Sequence, residues 1–268
     1  MGVTRSKEIE RVHLKFCKRV LNVRQNSCTA GVYGELARYP LYISRFYRVI
    51  KYWCKVNDSN NIILNRLYLL GLSDTDRGKR NWVSSVKDLL DRFGFSEAFY
   101  NLDSRQAKHF PLIFKQRVID CFVQDWYGSV ERSSVLDEYK YFKKSFEYEA
   151  YLDVLPFNLK FFVTRARISA HSLRIHTGRY GRNAIPRNER LCLVCGSGDI
   201  EDTFHFICVC PCYNELRIKH IPITFYRRPS MYKFMSLLSS RNDNVLFRLS
   251  LFIKNALKIR ITTINTVV

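Results

Sequence analysis

Five cysteines and one histidine fall between positions 192 and 212 of this 268-residue chain. Cys192 and Cys195 form a C-x2-C pair, a spacing that suits a tight turn aiming two thiolates at one ion. His205 and Cys210 form an H-x4-C pair, which suits a short helix start or a turn. Gly196 and Gly198 lie between the pairs and give the chain freedom to double back. The result is C-x2-C-x9-H-x4-C, three thiolates and one imidazole. Zinc accepts that set as a closed tetrahedron. Four protein ligands leave no place for water, so the expected ion is a structural Zn2+ that stabilises a segment too small for its own core. Cys208 and Cys212 remain alternatives for the fourth position. Cys208 sits in the apolar run FHFICVC and reads as a small core residue, and Cys212 follows Pro211 at the expected start of a helix.

The thirty residues before this cluster carry a second kind of chemistry. Lys160, Arg165, Arg167, Arg174, Arg179, Arg182, Arg187 and Arg190 are opposed there only by Glu189. Arginine binds phosphate through two parallel donors and stacks on bases. Arg165, Arg167, Arg174, Arg179 and Arg182 are the candidates for holding phosphates, with His171 and Tyr180 near bases or sugars. The whole chain points the same way: 44 Lys and Arg against 24 Asp and Glu give a formal charge of +20. So large an excess favours a polyanionic partner, nucleic acid before membrane. RNA is favoured over duplex DNA because no segment reads as a major-groove recognition helix. Asp199, Glu201 and Asp202, inside the cysteine loop, are expected to shape a turn or to balance nearby arginines.

The elements that must position these residues read as helices. Ile9, Val12, Phe16, Val20 and Val23 recur at helical spacing, with Arg11, Lys15, Lys18 and Arg19 off the stripe. Phe46, Val49, Ile50 and Trp53 form another stripe after Pro40. Asn81 and Gly94 bracket a helix as N-cap and C-cap. Further helical spacing covers 109–127, 134–153, 157–174, 212–220, 230–239 and 243–261. Strand signals are weak except beside the cysteines. The expected fold is therefore all-α, a bundle-like helical array with a small zinc-stapled knuckle near the C-terminus. It divides into 1–56, a helical connector with a basic face at 57–176, and knuckle plus terminal helices at 177–268. The likeliest break in the chain is the Gly/Arg/Pro-rich stretch 177–189.

Several classes are disfavoured. No run of about 18 apolar residues suggests a membrane span. No apolar signal core follows the N-terminus, so an intracellular site, nucleus or cytoplasm, is expected, with reduced cysteines. Met1-Gly2 with Ser6 fits the short myristoylation pattern, which arises readily by chance. No Asp-Asp pair, P-loop, G-x-S-x-G or H-E-x-x-H motif is present, so no enzymatic activity is expected of the chain itself.

HLKFCKRVLNV and VYGELARYPLYISRFYRVIKYW resemble the segment after the catalytic domain in reverse transcriptases of non-LTR, LINE-type retrotransposons. RARISAHSLRIHTGRYGR and RLCLVCGSGDIEDTFHFICVCPCYNELR resemble the C-terminal end of those polyproteins, which carries a CCHC-type zinc knuckle. The resemblance runs from about residue 9 to about residue 240. It implies a thumb-like role for 1–56 and zinc ligation by Cys192, Cys195, His205 and Cys210. It also implies contact with template RNA or target DNA. The polymerase palm with its catalytic aspartates would then lie upstream of Met1 and be a partner of this non-catalytic portion. The competing expectation is a zinc-stabilised helical protein-interaction module, or an inactive remnant of a mobile element.

Overall fold

The computed structural model describes residues 6–180 and 184–267. The N-terminal Met1-Gly2 pattern and Arg182 lie outside the described residues. Ten helices of seven residues or more form the framework. They are α1 (Lys7–Val20), α2 (Thr29–Leu36), α3 (Leu41–Asn57), α4 (Ile62–Asp76), α5 (Trp82–Arg92), α6 (Phe110–Glu131), α7 (Phe157–Arg167), α8 (Asn214–His220), α9 (Met231–Leu238) and α10 (Asp243–Val267). The fold is all-α. Among the described residues the one isolated β-bridge joins Leu191 to Ile200. No helix among them is long and apolar enough to cross a membrane.

The chain forms two compact units, Met1–Leu14 with Tyr39–Tyr127, and Lys15–Arg38 with Gly128–Val268. They do not coincide with the three consecutive segments read from the sequence. The 177–189 stretch, expected to be a break, is flanked on both sides by the second unit. Within it, Ile185 N–H donates to Gly178 O at 2.9 Å.

The first unit has an aromatic core. Phe46, Ile50 and Trp53 of α3 meet Val86 and Leu90 of α5 and Phe114 of α6, all without exposure. Trp53 stacks on Phe99 at 6.2 Å and meets Phe110 edge-on. Its indole N–H donates to Tyr68 Oη at 3.0 Å. Local signals agree with this packing. Asn81 and Ser84 form a reciprocal capping box at the start of α5. Gly94, at φ +80°, closes its end, with Phe95 N–H reaching back to Leu90 O. The Glu10 carboxylate accepts from the amides of Leu41 and Tyr42 and so caps α3.

Two expectations fail. The stripe of α1 faces outward: Ile9, Val12, Phe16 and Val20 are exposed, while His13, Cys17, Lys18 and Leu21 are buried. Periodicity marks a face as apolar but not as covered. Lys18 tolerates burial because its ammonium donates to Gln25 O at 2.6 Å. The 134–153 segment holds only two short turns, Tyr139–Phe142 and Tyr151–Val154. Its Lys143 and Glu149 bond to each other at 2.5 Å, and the Glu149 amide bonds to Glu35 O. Helices α2 and α4 form within the segments expected to be helical, at spacings that marked no separate helix.

The second unit centres on α7 and α10, with Val163, Leu249, Phe252 and Ala256 fully enclosed. A polar network lies inside it. Arg167, 3% exposed, donates through Nε and Nη2 to the Glu35 carboxylate, through Nη2 to Glu149 and through Nη1 to Leu238 O. Tyr151 Oη joins Glu35 to Thr164. Two carboxylates thus offset the buried cations Arg167 and Lys143, as burial of charge requires.

Candidate metal centre and basic surface

The loop that follows Arg190 builds a metal-binding geometry from short-range backbone rules. The Leu191–Ile200 bridge makes a narrow ribbon, in which Cys192 N–H donates to Asp199 O and Glu201 N–H to Arg190 O, each at 2.8 Å. Gly196 and Gly198 turn its tip at φ +64° and +78°, left-handed values that favour glycine. Cys192 and Cys195 therefore sit on one turn. The other two donors come from a π-helical turn over His205–Val209, closed by Cys210 N–H to His205 O at 2.7 Å. Asp202 starts that turn by accepting from the His205 amide at 2.7 Å.

One ligand atom from each of Cys192, Cys195, His205 and Cys210 lies within 4.8 Å of every other, and the group can hold a metal ion. Cys195 Sγ stands 3.4 Å from His205 Nε2. A tetrahedral ion with bonds of about 2.0–2.3 Å would separate such atoms by roughly 3.5–3.8 Å, so the residues present fit one. The other ring nitrogen, Nδ1, lies 3.6 Å from Asp199 Oδ2, the kind of carboxylate that orients a ligating imidazole. The Cys210 thiol donates toward Cys192, which holds Cys192 far below the usual thiol range and pushes Cys210 above it. Cys208 and Cys212 stay outside the group. Cys208 is a core residue whose thiol burial pushes up to about 12. Cys212 is exposed, with Sγ 3.4 Å from Val194 O. Beneath the site Phe206 and Ile207 are buried, whereas Val209 is at the surface.

Long-range polar contacts fix the loop to the body of its unit. The Glu201 carboxylate is 1% exposed and accepts from Arg260 of α10 at 2.6 and 2.7 Å, and from the Arg174 amide at 2.8 Å. Buried Arg217 of α8 donates to Ile207 O and Cys210 O. Arg217 and Arg260 were not anticipated. No spacing rule connects Arg260 to Glu201, 59 positions away.

The arginines before the loop divide sharply. Arg167 is corrected from phosphate ligand to interior ion pair, since its donors are consumed by Glu35, Glu149 and Leu238 O. His171 is likewise interior: Nε2 lies 3.0 Å from Thr203 Oγ1, and burial, then the charges of His176 and the arginines, push it down to about 3. Arg165, Arg174 and Arg179 are half-buried and Tyr180 is exposed against His176. Arg165 donates twice to Asn22 O, Arg179 donates to Ile175 O and to Ser134, and Arg190 donates to Ile185 O and Ile175 O. These acceptors are neutral. Among the described residues no carboxylate comes within 4 Å of Arg24, Arg165, Arg179 or Arg190. After burial, the field of Arg24 lowers Arg165, and those of Arg179 and Arg187 lower Arg190. Arg24, on the loop after α1, therefore belongs to the same cationic surface although it lies 141 positions before Arg165.

Searches against protein-family models, curated proteins and solved structures found no match.

Proposed function

We propose that this chain is a non-catalytic nucleic-acid-binding protein, in which a structural zinc ion held by Cys192, Cys195, His205 and Cys210 stabilises the loop beside an arginine surface. The observation that carries the reading is the pinned, uncompensated charge of Arg165, Arg179 and Arg190 together with Arg24. Guanidinium groups anchored by carbonyls hold their position yet keep their full charge. A phosphodiester backbone supplies the missing anions and releases its own counterions on binding. Exposed Tyr180 offers a ring for stacking. Zinc suits the donor set of three thiolates and an imidazole, and adds no redox chemistry. The resemblance to the C-terminal portion of LINE-type reverse transcriptases agrees with this reading, and the lack of a segment that reads as a major-groove recognition helix favours RNA.

The test is a titration of single-stranded RNA and of duplex DNA at several salt concentrations. The expected result is micromolar or tighter RNA binding whose log affinity falls linearly with log salt. Arg24→Glu, at an exposed position, should weaken binding about tenfold and flatten the salt slope by about one phosphate contact. Absence of RNA binding by the zinc-loaded chain would overturn the reading.

A further inference from the structure

Helix α4 is composed like a core helix but is not in a core. Ile62, Ile63, Leu67, Leu69 and Leu70 are 60–71% exposed, and no residue of α4 is buried. Its other side meets the first unit, through Tyr68, Gly71 and Leu72. Five exposed branched side chains on about two turns make an apolar patch larger than isolated residues explain, and such patches mark interaction sites. The patch leads into a groove of about 640 Å3 between α3, α4 and α5, floored by Val49, Val56, Leu64, Trp82 and Val83. Gly71 sets the groove's width at one point. A Cβ there would come within 2.7 Å of Val83 Cγ2, so α4 approaches α5 as closely as glycine allows. Among the described residues, the charged ones lining the groove are Arg45 and Arg48.

We propose that this groove docks an amphipathic helix of a partner protein, apolar along one stripe and acidic beside it. The exposed row Ile63, Leu67 and Leu70 continues the apolar surface along α4 over seven positions, about 10 Å, beyond what a compact ligand in the groove would cover. A helix laid along α4 covers both, in the helix-in-groove mode that uses anchors at i, i+3/i+4 and i+7. Exposed Arg48 selects the acidic flank, and the absence of carboxylates among the described lining residues disfavours a basic one. A second copy of this +20 chain would bring its own basic rim against these arginines. The proposal concerns the first unit alone and stands independently of the nucleic-acid reading.

The test uses the full chain and labelled peptides of about 20 residues, long enough for a helix of about 30 Å. One peptide carries a leucine stripe flanked by glutamates, a second replaces the glutamates by lysines, and a third keeps the glutamates but replaces the leucines by serines. The first should bind at micromolar concentration, and the other two at least tenfold more weakly. Leu67→Asp should abolish binding, and its tryptophan emission checks that the unit remains folded. Arg48→Glu, at an exposed position, should weaken the glutamate peptide and strengthen the lysine peptide. Equal binding of the glutamate and serine-substituted peptides would reduce the effect to bulk charge and overturn the proposal. So would equal binding of the glutamate and lysine peptides, no binding at all, or a dimer of the chain that Leu67→Asp dissolves.

Discussion

Trp53 and Cys210 are both fully buried, yet their surroundings have little in common. Trp53 lies among Phe99, Phe110 and the aliphatic side chains of the first unit, with its indole N–H satisfied by the Tyr68 hydroxyl. Cys210 lies beside two other thiols and an imidazole, groups that gain little from each other without a cation. The first region is stabilised by removal of carbon from water, and the second is built to be stabilised by one ion drawing its donor atoms together. The difference teaches where each is vulnerable. An aromatic core weakens gradually as side chains are trimmed. A ligand set fails as a whole when one donor or the ion is removed.

Metal removal should give the largest effect. Structural zinc contributes apparent binding free energies of about 10–16 kcal/mol in isolated fingers, so Cys210→Ser or a strong chelator should unfold the 191–213 loop. Trp53, Trp82 and Trp126 all lie in the first unit. Tryptophan emission should therefore stay native while amide exchange in the loop rises to unprotected rates. Loss of both signals together would erase the contrast between the regions.

Next come the two interiors compared directly. Trp53→Ala should cost about 3–5 kcal/mol by cavity formation, read by chemical denaturation through the emission of Trp82 and Trp126. Arg167→Ala should cost a similar 3–5 kcal/mol in the second unit, because Glu35 is left buried and charged. The double variant Arg167→Met/Glu35→Leu should recover most of that loss. Failure to recover would mean that the ion pair itself, and not the avoidance of a lone charge, holds the second unit together.

His171 gives a smaller effect with a defined sign. Burial lowers it to about 3 from an unperturbed value of 6.5, so the folded protein resists protonation and the unfolded chain does not. Stability is complete above about pH 6.5 and declines as pH falls toward 3. At pH 5 the loss should be about 2 kcal/mol, from 1.36 kcal/mol per pH unit. Relative to the wild type, His171→Gln should remove this part of the acid sensitivity. The smallest effect belongs to Asn81→Ala, about 1 kcal/mol in the first unit, with no change in metal affinity.

The same helix shows how context divides like residues. Arg165 and Arg167 are two positions apart on α7 and read alike in the sequence. One turns outward and donates to Asn22 O, and the other turns inward to Glu35 and Glu149. Composition could mark both as cations, but Asn22 and Glu35, which separate their environments, lie 143 and 132 positions away. The α1 stripe makes the same point for apolar residues. Ile9 and Val12 have core chemistry at core spacing, and the face that is buried is the one carrying His13 and Cys17.

What the sequence determined by itself is local. The all-helical class, the α5 caps at Asn81 and Gly94 and the candidate donors Cys192, Cys195 and His205 follow from short spacings, because a cap or a C-x2-C turn is complete within a few residues; the choice of Cys210 over Cys208 and Cys212 came from the fold. Tertiary structure alone decided which arginines remain available, that Arg24 joins them, that Glu201 ties the loop to Arg260, and that α4 leaves its leucines uncovered. These depend on pairings between distant segments. A side chain's charge is fixed by its type, but its solvation and its partner are fixed only when the chain closes around it.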